Sequence, residues 1–159
     1  MRGPRRRSAM LDLLDSAERL AAAAAIGAAI GLNRNAVGKP TGVKTLGLVA
    51  VGSAILVMTG VNFVEQDAKY VDAASRVIQG IVTGIGFIGG GAILRDQEGR
   101  SVEGLTTAAS VWVTAALGCV CGLGEWKIAA LATAVTLAML LSGDLIERLG
   151  QKFYGKPDA

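Results

Sequence analysis

Polar and apolar positions are distributed very unevenly along this chain. Five runs carry no charged residue at all: Leu20–Asn33, Thr45–Val64, Val77–Leu94, Leu105–Gly124 and Ile128–Gly143, of 14, 20, 18, 20 and 16 residues. None alternates with the period of a half-buried strand, and none has the wet face that a water-soluble helix keeps, whereas about 20 apolar residues in a row are what a helix crossing about 30 Å of hydrocarbon needs. The pattern predicts an all-α, polytopic membrane protein of about five transmembrane helices. The first span is too short by itself and is extended back to Ala17, with Arg19 snorkelling towards the interface. The others run over Thr45–Val64, Ala73–Leu94, Leu105–Leu123 and Ile128–Ile146. Residues 1–16 then form a basic and amphipathic N-terminal segment, 17–149 the transmembrane domain and 150–159 a polar tail.

Composition narrows the chemistry more than the fold. Hydrophobic residues make up 52% of the chain and charged ones 18%, and there is no histidine, which removes the commonest general base and the commonest transition-metal ligand. Cys119 and Cys121 stand two apart, on nearly opposite sides of a helix, so they form neither a metal clip nor a mutual disulfide. These counts point away from an enzyme and imply no cofactor. The net charge of +3 sits on short flanks of apolar runs, without a basic stripe interleaved with aromatics, and so implies a lipid bilayer as partner and no nucleic acid.

Met1–Arg7, with four arginines, resembles the start of a signal peptide, but Asp12, Asp15 and Glu18 interrupt the following apolar stretch, which predicts a retained anchor. Five spans put eight basic residues on each side of the membrane. Without the first seven residues the split is four against eight, which places the C-terminus in the cytoplasm.

Two features could carry function. The segment Gly80–Gly91 holds six glycines, and although Gly84, Gly86 and Gly89 imitate a dinucleotide-binding fingerprint, that motif belongs at a water-facing strand-to-helix turn rather than inside an uncharged span. Two readings stay open: Gly80, Gly84, Gly86 and Gly90 pack helices closely, or the third span is locally unwound. The second feature is polarity at membrane depth, which is expensive in lipid. Asp72, Arg76 and Gln79 at the start of span three, with Thr106, Thr107, Ser110 and Trp112 in span four, form a candidate polar site. A faint repeat, Gly42-Val43-Lys44-Thr45 against Gly104-Leu105-Thr106-Thr107, suggests a second, basic loop site of Arg34, Lys44 and Arg95 beside two helix starts, suited to an anion.

The run from Asp72 and Arg76 through Gln79-Gly80-Ile81-Val82-Thr83-Gly84-Ile85-Gly86-Phe87-Ile88-Gly89-Gly90-Gly91-Ala92-Ile93-Leu94-Arg95, followed by Gly104-Leu105-Thr106-Thr107-Ala108-Ala109-Ser110-Val111-Trp112, closely resembles the signature of the MgtC/SapB family. The resemblance covers about Leu20 to Leu141. It implies a bacterial inner-membrane protein tied to growth and survival when Mg²⁺ is scarce and, in pathogens, to persistence in macrophages. The expected partners are further copies of the chain or other membrane proteins, among which the same resemblance implies the F-type ATP synthase. The family's polar position falls on Thr106, its tryptophan on Trp112 and its cysteine on Cys121. Where that family places Glu before Arg, this chain has Asn33 before Arg34, and only about ten residues follow the fifth helix, where larger members carry a soluble domain.

The expected function is regulatory or adaptive, exerted through membrane-protein partners. The alternative is a small oligomeric Mg²⁺ transporter or channel. Against it stands the lack of carboxylates in all five uncharged runs, since Mg²⁺ is normally held by one or two carboxylates.

Overall fold

The computed structural model describes residues 9–62, 68–95 and 102–154. Five helices follow in order: α1 (Ala9–Ala36), α2 (Val43–Asn62), α3 (Ala68–Gly91), α4 (Leu105–Leu123) and α5 (Trp126–Tyr154). Between α3 and α4, β1 (Leu94–Arg95) pairs antiparallel with β2 (Val102–Glu103), a short ladder where the sequence indicated only a charged loop. The basic start and the last residues of the polar tail lie outside the described residues.

Four helices, α2 to α5, are long and apolar enough to cross a membrane. α1 is 28 residues long, but its N-terminal part carries Asp12, Asp15, Glu18 and Arg19, which leaves the short uncharged stretch that the sequence showed. It runs alongside α2 all the same. Two of the helix ends are set by glycine. Gly38, at φ 68°, donates to Asn35 O at 3.1 Å, while Lys39 N–H reaches Arg34 O at 3.0 Å. Gly124, at φ 77°, donates to Cys121 O at 2.9 Å, while Glu125 N–H reaches Val120 O at 3.1 Å. Both are the left-handed cap that lets a chain leave a helix with its last carbonyls satisfied, a need that hydrocarbon makes acute.

The core is a three-helix unit of α1, α2 and α4. A Cβ on Gly27 would lie 2.5 Å from Leu46 O, and one on Gly31 would lie 2.5 Å from Val43 Cα, so α1 and α2 touch backbone to backbone in antiparallel. On the other side of α2, a Cβ on Gly118 would strike Ala50 O and one on Gly122 would come within 2.8 Å of Ala54 O. Both steps are four residues in the same direction, so α2 and α4 run parallel. In lipid, where apolar burial supplies little drive, this close approach of backbones is what holds helices together. Ala23, Ile30, Leu46, Ala50, Ala54, Val57, Val111, Ala115 and Cys121 are buried around these crossings.

α3 and α5 are peripheral. α3 packs Ile81, Ile85 and Gly89 inward, Gly89 against Ala108 of α4, and Val77 against Gly60 of α2. It is one continuous α-helix to Gly91, which settles against the unwound reading of span three. α5 buries Ala129 and exposes Ile128, Leu131, Val135, Met139 and Leu141, a face of the kind lipid tails accept.

Candidate functional site

α1 carries two arginines fifteen residues apart, and both reach α4. Alternation of the helices puts the end of α1, the starts of α2 and α4 and the end of α3 on one membrane face. The start of α3, the end of α4 and the start of α5 share the other.

Arg34 lies in the last turn of α1 and is 1% exposed. It follows Ile30 by one helical turn on the buried side, and the adjacent Gly31 lets α2 come close enough to cover it. Its Nη2 donates to Thr107 Oγ1 at 3.2 Å, across 73 residues of sequence. Its Nε is shut off from solvent and has no partner among the described residues, and no carboxylate pairs with it there. A buried guanidinium with an unpartnered Nε and a neutral hydroxyl as the acceptor of Nη2 keeps much of its desolvation cost, and the α4 N-terminus beside it contributes further positive potential. At the other end, Arg19 Nη1 donates to Gly122 O at 2.7 Å and Nε lies 2.9 Å from Asp15 Oδ2. There the cation meets the negative end of α4, a favourable arrangement. The sequence had Arg19 snorkelling into water; packing instead makes it a cap for another helix.

The residues read as one polar site separate into two groups. Thr107, Ser110 and Thr114 form a buried stripe on α4 near the Arg34 face. Ser110 Oγ donates to Thr106 O at 2.8 Å and Thr114 Oγ1 to Ser110 O at 2.7 Å, so these two hydroxyls serve their own helix. Thr106 points outward, and Trp112 is half exposed. Asp72, Arg76 and Gln79 stand at the opposite face, on the exposed side of α3. There Arg76 Nε is 3.0 Å from Asp72 Oδ2 and Gln79 Nε2 donates to Ser75 Oγ at 3.1 Å. Helical rise separates Arg76 from the Gly89–Ala108 contact by about 20 Å.

The basic loop site divides as well. Arg34 is helical and buried, and Lys44 is exposed on the first turn of α2. Arg95 pairs through its backbone with Val102, and its side chain lies outside the described residues. The starts of α2 and α4 do share a face, but the Ala50–Gly118 level puts the α4 start six residues, about 9 Å, farther out. What the fold assembles is therefore the pair Arg34–Thr107. Sequence reasoning had named both residues and assigned them to different sites.

The packing role expected of Gly80, Gly84, Gly86 and Gly90 is not met inside one chain, because a Cβ on any of them would meet nothing within 4 Å. Gly80 and Gly84 instead line an open, mostly apolar groove of about 770 Å³ between α2 and α3, with Gly52, Leu56 and Gly60 opposite and Arg76 at one end. The glycines that bring α1 and α4 onto the backbone of α2 are Gly27, Gly31, Gly118 and Gly122. Their signal was visible as two four-residue spacings, passed over beside the denser cluster.

Among the described residues no three of His, Cys, Asp and Glu gather as a metal site. The family model described as MgtC family matches residues 20–149. Among curated proteins, the chain is 42% identical to protein SrpB of Synechococcus elongatus over 87% of its own length and 80% of that protein. It is 38% identical to protein MgtC of Salmonella typhimurium LT2, over 83% of the chain and 54% of the relative. It is also 38% identical to YhiD of Escherichia coli K12, named as a candidate magnesium transporter, over 77% of the chain and 57% of the relative. The chain thus spans most of SrpB and little more than half of the other two. No solved structure is significantly similar to it.

Proposed function

The chain belongs to the MgtC family, and on that footing we propose that it serves magnesium-limited growth as a regulatory inner-membrane protein acting on other membrane proteins, not as a Mg²⁺ pore. The magnesium connection is taken from the relatives, one of which is named for transport of that ion. The choice of regulation over conduction rests on one observation. Among the described residues the one fully buried charge is a cation, Arg34, inside the α1, α2 and α4 unit.

A route for Mg²⁺ through a single chain would pass that guanidinium, with no carboxylate paired to it among the described residues. At about 4 Å even an effective dielectric near 20 makes the repulsion of a divalent ion by a unit charge several kcal/mol. Octahedral Mg²⁺ also surrenders its water reluctantly, and hydroxyls already bonded to their own helix, such as Ser110 and Thr114, are poor replacements. The Arg34 and Lys44 face is assigned to the cytoplasm by the positive-inside rule, with the C-terminus on the same side.

Purified protein in sealed liposomes under an imposed Mg²⁺ gradient gives the decisive measurement. The expected result is uptake no faster than in empty liposomes, while deletion of the gene slows growth at low Mg²⁺. Rapid, selective Mg²⁺ uptake would overturn the proposal.

A further inference from the structure

The exposed face of α3 is unlike any other outward face of this protein. Asp72, Arg76, Gln79, Thr83, Gly86 and Gly90 are all exposed, and they recur at intervals of four, three, four, three and four. That is the 3.5-residue repeat by which one helix lies along another in a left-handed pair, sustained here over nineteen residues, about 27 Å, nearly the thickness of the hydrocarbon. Ile81 and Ile85, directed at the rest of the chain, occupy the opposite side. From this register we propose that the α3 seam is an interface between two copies of this chain.

Each alternative occupant fits the seam less well. Lipid tails suit the α5 face, with Leu131, Val135 and Met139, whereas the α3 seam would set a carboxylate, a guanidinium and an amide against them at large cost. A water-filled passage needs polar groups along its length. Past Gln79 the seam offers one hydroxyl, Thr83 Oγ1, already donated to Gln79 O at 2.8 Å, and then two glycines.

A second copy answers both problems. Identical chains insert in the same direction, so a two-fold axis along the membrane normal sets the same residues at the same depth. Gln79 then faces Gln79, and an amide both donates and accepts. Gly86 and Gly90 face themselves, where the missing side chains let the backbones meet. At the interface Asp72 and Arg76, 3.0 Å apart within a chain, face their counterparts as two acids and two bases of zero net charge, each able to pair across as well as within. The seam is thus complementary to itself in charge, hydrogen bonding and shape. This interface does not depend on the regulatory reading, since a pore-forming protein could dimerise by the same seam.

Single cysteines in a Cys119→Ala, Cys121→Ala background, oxidised in native membranes, test it directly. Gln79→Cys, Thr83→Cys and Gly86→Cys are expected to give a disulfide-linked band of twice the chain mass several-fold stronger than Val82→Cys on α3 or Leu131→Cys on α5. Gly86→Leu, whose Cβ would meet nothing of its own chain within 4 Å, is expected to keep the helical content and weaken dimerisation in detergent about tenfold, with Gly143→Leu on α5 as the unaffected control. Cross-linking without the seam periodicity, cross-links to bands of other masses alone, or an unaltered dimer in a folded Gly86→Leu protein would overturn the proposal. Should Gly86→Leu fail to fold, the cysteine series decides alone.

Discussion

Two sets of glycines in this protein obey the same four-residue spacing and do opposite things. Gly27 with Gly31, and Gly118 with Gly122, bring α1 and α4 onto the backbone of α2, so closely that an added methyl has no room. On α3 the same spacing closes no contact within the chain: Gly80 and Gly84 border the open groove beside α2, Gly86 and Gly90 lie on the outward seam, and a Cβ on any of the four would meet nothing within 4 Å. Spacing alone does not make a contact; a partner face must be presented to it. The first pair of helices has that partner within the sequence, and α3 keeps its small residues facing outward.

The sharpest way to break this comparison is to make one substitution in both sets. Gly118→Ala drives a methyl into Ala50 O, a backbone atom that cannot swing aside. Overpacking of this kind costs about 1–3 kcal/mol or more, and the expected outcome is a large loss of folded protein and a lower unfolding midpoint in detergent. A Gly118→Ala protein as stable as the parent would mean that α2 and α4 are not in backbone contact.

The second test concerns the polar link across the same unit. Thr107→Val keeps the shape of the side chain and removes the acceptor of Arg34 Nη2, on a buried guanidinium whose Nε already has none. A loss of about 1–3 kcal/mol is expected. Combining it with Arg34→Met should recover most of that loss, because an apolar pair no longer has a charge to satisfy. Equal destabilisation by the single and double variants would contradict the pairing.

The smallest effect is expected on the α3 side, with the opposite sign. Gly84→Ala fills open space on a helix, so it should stabilise by about 0.5–1 kcal/mol through helix propensity alone. Gly84 borders the α2/α3 groove and lies off the proposed seam, which lets the effect be read without a change in dimerisation. A destabilising Gly84→Ala would show that the groove is closed in the membrane.

Much of the fold was legible because hydrocarbon imposes a severe rule on sequence. The uncharged runs from Thr45, Val77, Leu105 and Ile128 each became most of a helix, and the weak first run became part of the one described helix that is not apolar enough to count as a span. The candidate site was less legible. Asp72, Arg76 and Gln79 share a stripe on α3, as helical spacing indicated, yet they lie at the opposite membrane face from Thr107. One-dimensional spacing records which side of its own helix a residue occupies and does not record which helix comes to meet that side. Arg19 illustrates the point: its sequence neighbours suggest an interfacial charge, and only the arrival of α4 gives it Gly122 O to cap.

By itself, then, the sequence determined how many helices there are, roughly where they end and which positions are too polar or too small to face lipid unaided, because each of these follows from transferring residues one by one out of water. Tertiary structure alone decided that Arg34 belongs with Thr107, that four inconspicuous glycines bring helix backbones together and that Gly80, Gly84, Gly86 and Gly90 make no such contact within the chain. Those outcomes depend on how rigid cylinders pack, a collective property in which a residue's partner is chosen by the shapes of whole faces brought together from distant parts of the chain.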